Sequence, residues 1–248
     1  MADDLTKSNH RTPGRAATSN PDVRFDRYRT QAVDDGWQRD DELPVLRTQV
    51  SDERARRVIT RNTSPDISFD RSINPYRGCE HGCVYCYARP SHAYLDCSPG
   101  LDFETKIFHK PNAAALLRAE LARPGYRCQP IALGVNTDAY QPAERRLNIT
   151  RQILQVLLEF RHPVGIVTKS ALVERDLDLL TRLADDNLVH VRVSVTTLDR
   201  TLARSLEPRA AAPQRRFPSW RRISPVRIAL RLWTSRMRTP SMTVGSSR

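Results

Sequence analysis

The chain has 248 residues and a formal net charge of +12, enough length for one domain of α/β-barrel size or a smaller domain with flanking tails. No apolar run reaches the roughly 18 residues a membrane span needs, and Met1-Ala2-Asp3-Asp4 has neither the basic nor the apolar region of a secretion signal. A cytoplasmic address without membrane contact is therefore expected, where thiols stay reduced and open to metals. The charge is uneven: ten arginines and no acid follow Glu207, which leaves a net of only +2 over residues 1–207. The basicity belongs to the tail, so the body carries no general nucleic-acid footprint.

Residues 1–64 are polar and rich in Asp and Arg, with few apolar anchors. Such a segment cannot order itself alone. It reads as a disordered leader, or as an extended arm laid over the next domain through Trp37 and Leu43. The pattern changes at about residue 65. Ile67-Ser68-Phe69 alternates, and a first strand is expected to end near Ile73, with Pro75 limiting its run.

Ala113 to Leu121 is a run of strong helix formers with Pro111 near its start and Pro124-Gly125 as its stop. Ile131-Ala132-Leu133-Gly134-Val135 reads as a buried strand ending in the polar loop Asn136 to Pro142. Pro142 and Glu144 suit the first turn of one helix whose apolar positions include Ile149, Ile153, Leu154, Leu157 and Leu158. Val164–Thr168 is the next strand, Glu174–Asn187 a helix, Val189–Val195 a fourth strand, and Thr197–Leu206 a further helix.

This alternation argues an α/β fold with a parallel sheet wound in βα units, of which four are recognisable in a core spanning residues 65–212. Functional groups gather where such strands end. Thr137 and Asp138 follow the second strand, Lys169 and Ser170 the third, and Ser194 lies near the end of the fourth. All face the same rim. Residues 213–248 are Arg-, Ser- and Pro-rich and read as a tail foreign to the domain, from a shifted frame or a truncated gene; Val226, Ile228, Leu230 and Leu232 alternate enough for one strand.

Three of the five cysteines lie within eight residues, as Cys79-x3-Cys83-x2-Cys86, at the loop after the first strand. Thiolates so spaced can hold several corners of a [4Fe–4S] cluster and leave one iron open to a chelating small molecule. Gly78 and Gly82 allow the tight wrap. A zinc site completed by His81, His92 or Cys97 is the competing reading, as is a closed cluster serving electron transfer. Cys97 and Cys128 read as ordinary thiols.

The loop resembles the signature of the radical S-adenosylmethionine (radical SAM) superfamily. Asn74-Pro75-Tyr76-Arg77-Gly78-Cys79, Tyr85-Cys86-Tyr87-Ala88-Arg89, Leu101-Asp102-Phe103-Glu104-Thr105-Lys106, Thr137-Asp138-Ala139-Tyr140-Gln141-Pro142 and Thr168-Lys169-Ser170 are similar to the branch grouped with spore photoproduct lyase. The resemblance implies a partial (βα) barrel in which Cys79, Cys83 and Cys86 bind three irons and S-adenosyl-L-methionine chelates the fourth. Reductive cleavage of that molecule would give a 5′-deoxyadenosyl radical acting on a substrate the sequence does not name, with ferredoxin or flavodoxin as reductant. It also implies that Tyr85 lies by the adenine, that Thr137 and Asp138 meet the methionine amino group, that Lys169 pairs with its carboxylate, and that Ser194 bonds the methionine or ribose. Glu144, Ser170 and Arg209 are further candidates that read equally as caps or surface charges. Spore photoproduct lyases carry a hydrogen-donating cysteine shortly before the Thr137-Asp138 loop. Val135 and Asn136 occupy that stretch here, so a nucleic-acid photoproduct substrate is only weakly supported. A non-catalytic module and an inactive fragment are the alternatives.

Overall fold

The computed structural model describes residues 14–23, 46–216 and 231–232. Two short strands, β1 (Gln49–Asp52) and β2 (Thr60–Arg61), precede β3 (Arg71–Ile73) and β4 (Tyr76–Arg77). Helix α1 (Leu101–Thr105) runs directly into β5 (Lys106–His109). There follow α2 (Ala113–Leu121), β6 (Ile131–Leu133), α3 (Glu144–Leu147), α4 (Ile149–Glu159), β7 (Val164–Thr168), α5 (Leu177–Asp185), β8 (Val189–Val195), α6 (Arg200–Leu206) and β9 (Arg231–Leu232).

The main sheet has the order β2-β3-β6-β7-β8-β9. Only β2 runs antiparallel to its neighbour; β3, β6, β7, β8 and β9 are parallel. The strand at Ile131 and those at Val164 and Val189 form where the sequence predicts them, with β-branched and Leu side chains supplying the positions buried beneath the helices. On β8, Val189, Val191, Val193 and Val195 are buried, whereas His190, Arg192 and Ser194 alternate onto a more open face. The buried face packs against the helices. Ala113, Leu117 and Leu121 of α2, spaced four apart, and Ile149, Ile153, Leu154 and Leu157 of α4 join the same core. Removing one such side chain, as in Leu157→Ala, costs about 2–5 kcal/mol.

Several elements differ from expectation. Ile67–Phe69 is a bend and irregular chain, and the first core strand is Arg71–Ile73. The single helix expected from Pro142 is two, α3 and α4, broken at Asn148, which adopts φ 56°; asparagine tolerates that left-handed conformation through local side-chain hydrogen bonding. The stretch Glu174–Asn187 divides into a 3₁₀ turn over Ala171–Asp176 and α5. Beyond the four expected strands, β9 pairs in parallel with β8 through Ser194↔Arg231 and Val195↔Leu232.

Within residues 1–64, β1 pairs with β5 and β2 with β3, and residues 14–23 lie along α1. Ser19 O accepts the Leu101 amide at 3.2 Å, and Asn20 exchanges two hydrogen bonds with Asp102, both 2.9 Å. Trp37 and Leu43, the expected anchors, fall outside the described residues. No described helix is long and apolar enough to cross a membrane.

Candidate functional site

Parallel strands put all their C-terminal ends on one rim, and the loops there enclose an open cavity of about 480 Å³. Cys79, Cys83 and Cys86 line it, with Tyr85, Asp138, Lys169 and Ser194. Of the eight residues assigned to metal or cofactor, seven meet here. Thr137 does not line the cavity: it is buried, and its hydroxyl donates to Tyr76 O at 2.7 Å, tying the second rim loop to the first.

The cysteine loop is shaped by close contacts on its outer side. Gly78 has φ +75°, and a Cβ there would meet Phe103 O at 2.9 Å. Cys79 N donates to that same carbonyl at 2.9 Å. Glu80 N donates to Gln141 Oε1 at 3.0 Å, while Gln141 Nε2 reaches Gly78 O. Arg89 donates to Cys83 O through Nε and a terminal nitrogen, and pairs with the fully buried Glu104 at 2.5 Å. Glu104 in turn accepts the amides of Ala16 and Ala17. Arg15 of the same arm donates to Glu104 O at 2.7 Å and to Thr48, whose hydroxyl donates to Glu80. The arm therefore belongs to the scaffold of the loop.

Asp138 acts as a pin. Its Oδ1 accepts from Tyr140 N and the Thr168 hydroxyl, both at 2.8 Å, and Oδ2 accepts Lys169 N at 2.7 Å. His81 Nδ1 stands 3.3 Å from Oδ2, with the two side chains 2% and 8% exposed. Burial pushes the imidazole pKa down, but the Asp138 carboxylate and the Cys79 sulfur outweigh it and hold it up at about 10. Burial alone would raise Asp138; the facing His81 holds it below the usual carboxylate range. The loop histidine and the β7 end are thus locked through one carboxylate.

Lys169 Nζ donates to Ser194 Oγ at 2.9 Å and to Glu207 Oε1 at 3.0 Å, and lies 5.5 Å from the Tyr85 ring centroid. Glu207 also accepts from Tyr85 and Thr196 hydroxyls and, at 2.6 Å, from Arg216. Burial pushes this carboxyl up, yet Arg216 and Lys169 prevail and bring it down to about 2. Glu207 and Arg216 were not identified from the sequence. The available signal was an acid just past the end of α6, where the helix dipole disfavours negative charge unless cations compensate.

The weaker candidates take structural roles. Glu144 is buried and accepts from Tyr76, Thr150 N and Arg175. Ser170 caps the 3₁₀ turn by accepting Leu172 N at 3.1 Å. Arg209 pairs with Glu80 at 3.1 Å. Cys128 is exposed, Cys97 is buried, and neither lines the cavity.

The donor set fits an iron–sulfur group. All three loop cysteines are free thiols on one wall of a cavity, Cys79 and Cys83 buried and Cys86 partly so. Burial pushes the Cys83 and Cys86 thiols up, and thiolate ligation to a metal removes that penalty by fixing the deprotonated form. Among the described residues no three His, Cys, Asp or Glu side chains gather around a single-ion position.

An uncharacterized protein of Mycobacterium tuberculosis is 45% identical over 151 residues, 61% of this chain and 44% of its own length; one of Mycobacterium bovis matches equally. An uncharacterized protein of Methanocaldococcus jannaschii is 26% identical over 164 residues, 66% of this chain and 58% of its own. The chain spans about half the length of the curated relatives it matches. Spore photoproduct lyase complexed with dinucleoside spore photoproduct shares the fold with a TM-score of 0.51 at 18% identity, over 73% of this chain and 49% of that one. A cysteine-to-serine variant of that lyase gives 0.51 at 17%, with the same coverage. A radical SAM superfamily model matches residues 73–228, from the strand below the cysteine loop past the Arg216 ion pair, and the chain belongs to the radical SAM superfamily.

Proposed function

We propose that the chain is the catalytic core of a radical SAM enzyme, holding a [4Fe–4S] cluster through Cys79, Cys83 and Cys86 with S-adenosyl-L-methionine beside it. The observation that carries this reading is the convergence of the three thiols with Tyr85, Lys169 and Ser194 on one cavity. When bound, the pair would supply one-electron cleavage of a sulfonium bond and hydrogen-atom abstraction from substrate.

The residues divide this work by their chemistry. Lys169 offers a point charge for a carboxylate, and Ser194, already its hydrogen-bond partner, orients the ammonium and can accept or donate to a hydroxyl. The half-exposed Tyr85 presents an aromatic face at the cavity. Asp138 has its oxygens occupied by Tyr140, Thr168, Lys169 and His81, so it holds the other groups in place. Thr137 acts likewise through Tyr76.

A nucleic-acid substrate is the second reading, favoured by the likeness to a spore photoproduct lyase that carries a dinucleoside photoproduct. Val135 and Asn136 line the cavity where that activity calls for a thiol, and Cys128 lies outside it, so the first reading leaves the substrate open. A reductant such as ferredoxin or flavodoxin completes the proposal.

The test is anaerobic reconstitution of the full chain with iron and sulfide, followed by electron paramagnetic resonance with and without S-adenosylmethionine. A spectrum altered by S-adenosylmethionine and formation of 5′-deoxyadenosine under dithionite are expected. An unaltered spectrum with no 5′-deoxyadenosine would leave a non-catalytic iron–sulfur or zinc module.

A further inference from the structure

A second cavity of about 150 Å³ opens on the sheet face that carries His190 and Arg192, next to the cysteine cavity. The two cavities share Phe69, Val135 and Val167 as a common wall. Register explains the space. Ala132 of β6 pairs with Gly165 of β7, which pairs with His190 of β8, so two small residues sit in adjacent strands with an imidazole at the end of the row. A Cβ built on Gly165 meets nothing within 4 Å.

One level up, Arg192 pairs with Val167 and lines the same cavity. It is exposed, and among the described residues its side chain has neither a hydrogen-bond nor an ion-pair partner. Among the described residues no carboxylate lines the cavity, and His190 and Arg192 are the ionisable groups that do. An arginine placed among Phe69, Val135, Val167 and small residues is a planar fork of donors awaiting acceptors. Ser194, two residues along the same strand face, already belongs to the cofactor cavity, about 7 Å away at strand spacing.

We propose that this cavity is the substrate subsite and that Arg192 selects a substrate bearing a single oxyanion group, phosphate or carboxylate. The proposal rests on the cofactor assignment only for the word substrate; the anion site stands on Arg192 and its cavity. The near balance of charge over residues 1–207, a net of +2, favours recognition of one localised anion over a polyanion track.

The test is arginine modification of the full-length chain by phenylglyoxal, read peptide by peptide by mass spectrometry. Inorganic phosphate, succinate and a thymidine dinucleotide serve as separate protectants. Arg192 modification is expected to slow about fivefold when the site is about four-fifths occupied. The exposed Arg161, paired with Asp186, serves as the unprotected reference. Gly165→Val, at a backbone conformation that admits a side chain, should fill the cavity and abolish protection while Arg192 still reacts.

Protection by any of the three supports the inference, and which acts at the lowest concentration identifies the oxyanion's source. Equal behaviour of Arg192 and Arg161, or protection that survives in a folded Gly165→Val, overturns it. Cluster assembly is scored separately. Protection without a cluster sinks the cofactor reading alone, and a cluster without protection sinks the anion site alone.

Discussion

Lys169, on the wall of the cavity, pairs with the buried Glu207 behind it, Nζ to Oε1 at 3.0 Å, although one follows β7 and the other follows α6. The carboxylate is shared: Arg216, 1% exposed, holds its second oxygen at 2.6 Å and also donates to Ser194 O at 2.8 Å. Lys169, Ser194 and Tyr85 are therefore positioned by an ion-pair network whose far end lies beyond the expected core boundary. Glu207→Gln leaves the buried guanidinium without its counter-charge, and breaking such a pair costs about 3–5 kcal/mol. Urea unfolding should show this loss. In a double-mutant cycle, Arg216→Met should cost much less in the Gln background than in wild type; additive losses would show that the two do not act as a pair.

The same carboxyl gives a pH signature. Its folded-state pKa lies near 2, below the ordinary 4.5, so its stabilising contribution is present above about pH 4.5 and fades as pH falls toward 2. Wild-type stability should decline through that window more steeply than that of Glu207→Gln, and the two curves should converge at the acid end. Parallel curves from pH 5 to pH 2 (roughly the range in which a lowered carboxylate titrates) would remove Glu207 as the source.

Much of the site comes from reading strand ends. Val164–Thr168 and Val189–Val195 are apolar enough to be recognised as strands, and the polar residues at their C-terminal ends, Lys169 and Ser194, then fall on the rim. The role of Asp138 was not legible in that way. Its position predicts a polar contact at the rim, but its oxygens are taken up by Thr168, Lys169 N and His81, which lie 30, 31 and 57 residues from it. Glu207 and Arg216 were hidden because the break in composition after Glu207 drew the boundary through the middle of an ion-pair network. The two-residue β2 and the polar β1 have no periodicity to find. They exist because β3 and β5 offer edges to pair with.

Gly78 and Gly125 separate backbone strain from packing. Both have φ near +76° (+75° and +77°), but a Cβ on Gly78 would press on Phe103 O and Lys106 O, while one on Gly125 meets open space. Gly125→Ala should cost only the left-handed conformation, about 1–2 kcal/mol. Gly78→Ala must in addition displace main-chain oxygens, one of which accepts Cys79 N. It should lower both thermal stability and iron retained after anaerobic reconstitution. Equal iron content in the two variants would disconnect the Phe103 contact from the shape of the cysteine loop.

Arg15 and Glu104 tie the N-terminal arm to the loop from 89 residues away. Arg15 is 7% exposed and donates to Glu104 O, Leu46 O and Thr48 Oγ1. Arg15→Met preserves the packing of the stem but strands the buried Glu104 O, at a cost of about 1–3 kcal/mol, and also loses the part-buried bonds to Leu46 O and Thr48 Oγ1. The loss should spread along Thr48 to Glu80 and, through Ala16 and Ala17, to the Glu104–Arg89 pair that supports Cys83 O. Hydrogen exchange of the Cys79–Cys86 amides is the direct readout. It should rise in Arg15→Met, while exchange in α4, which packs in the main core away from the arm, should stay as in wild type. Faster exchange in α4 to the same degree would mean global destabilisation. No change in the loop would mean that the arm only lies against α1 and gives Cys79, Cys83 and Cys86 no support.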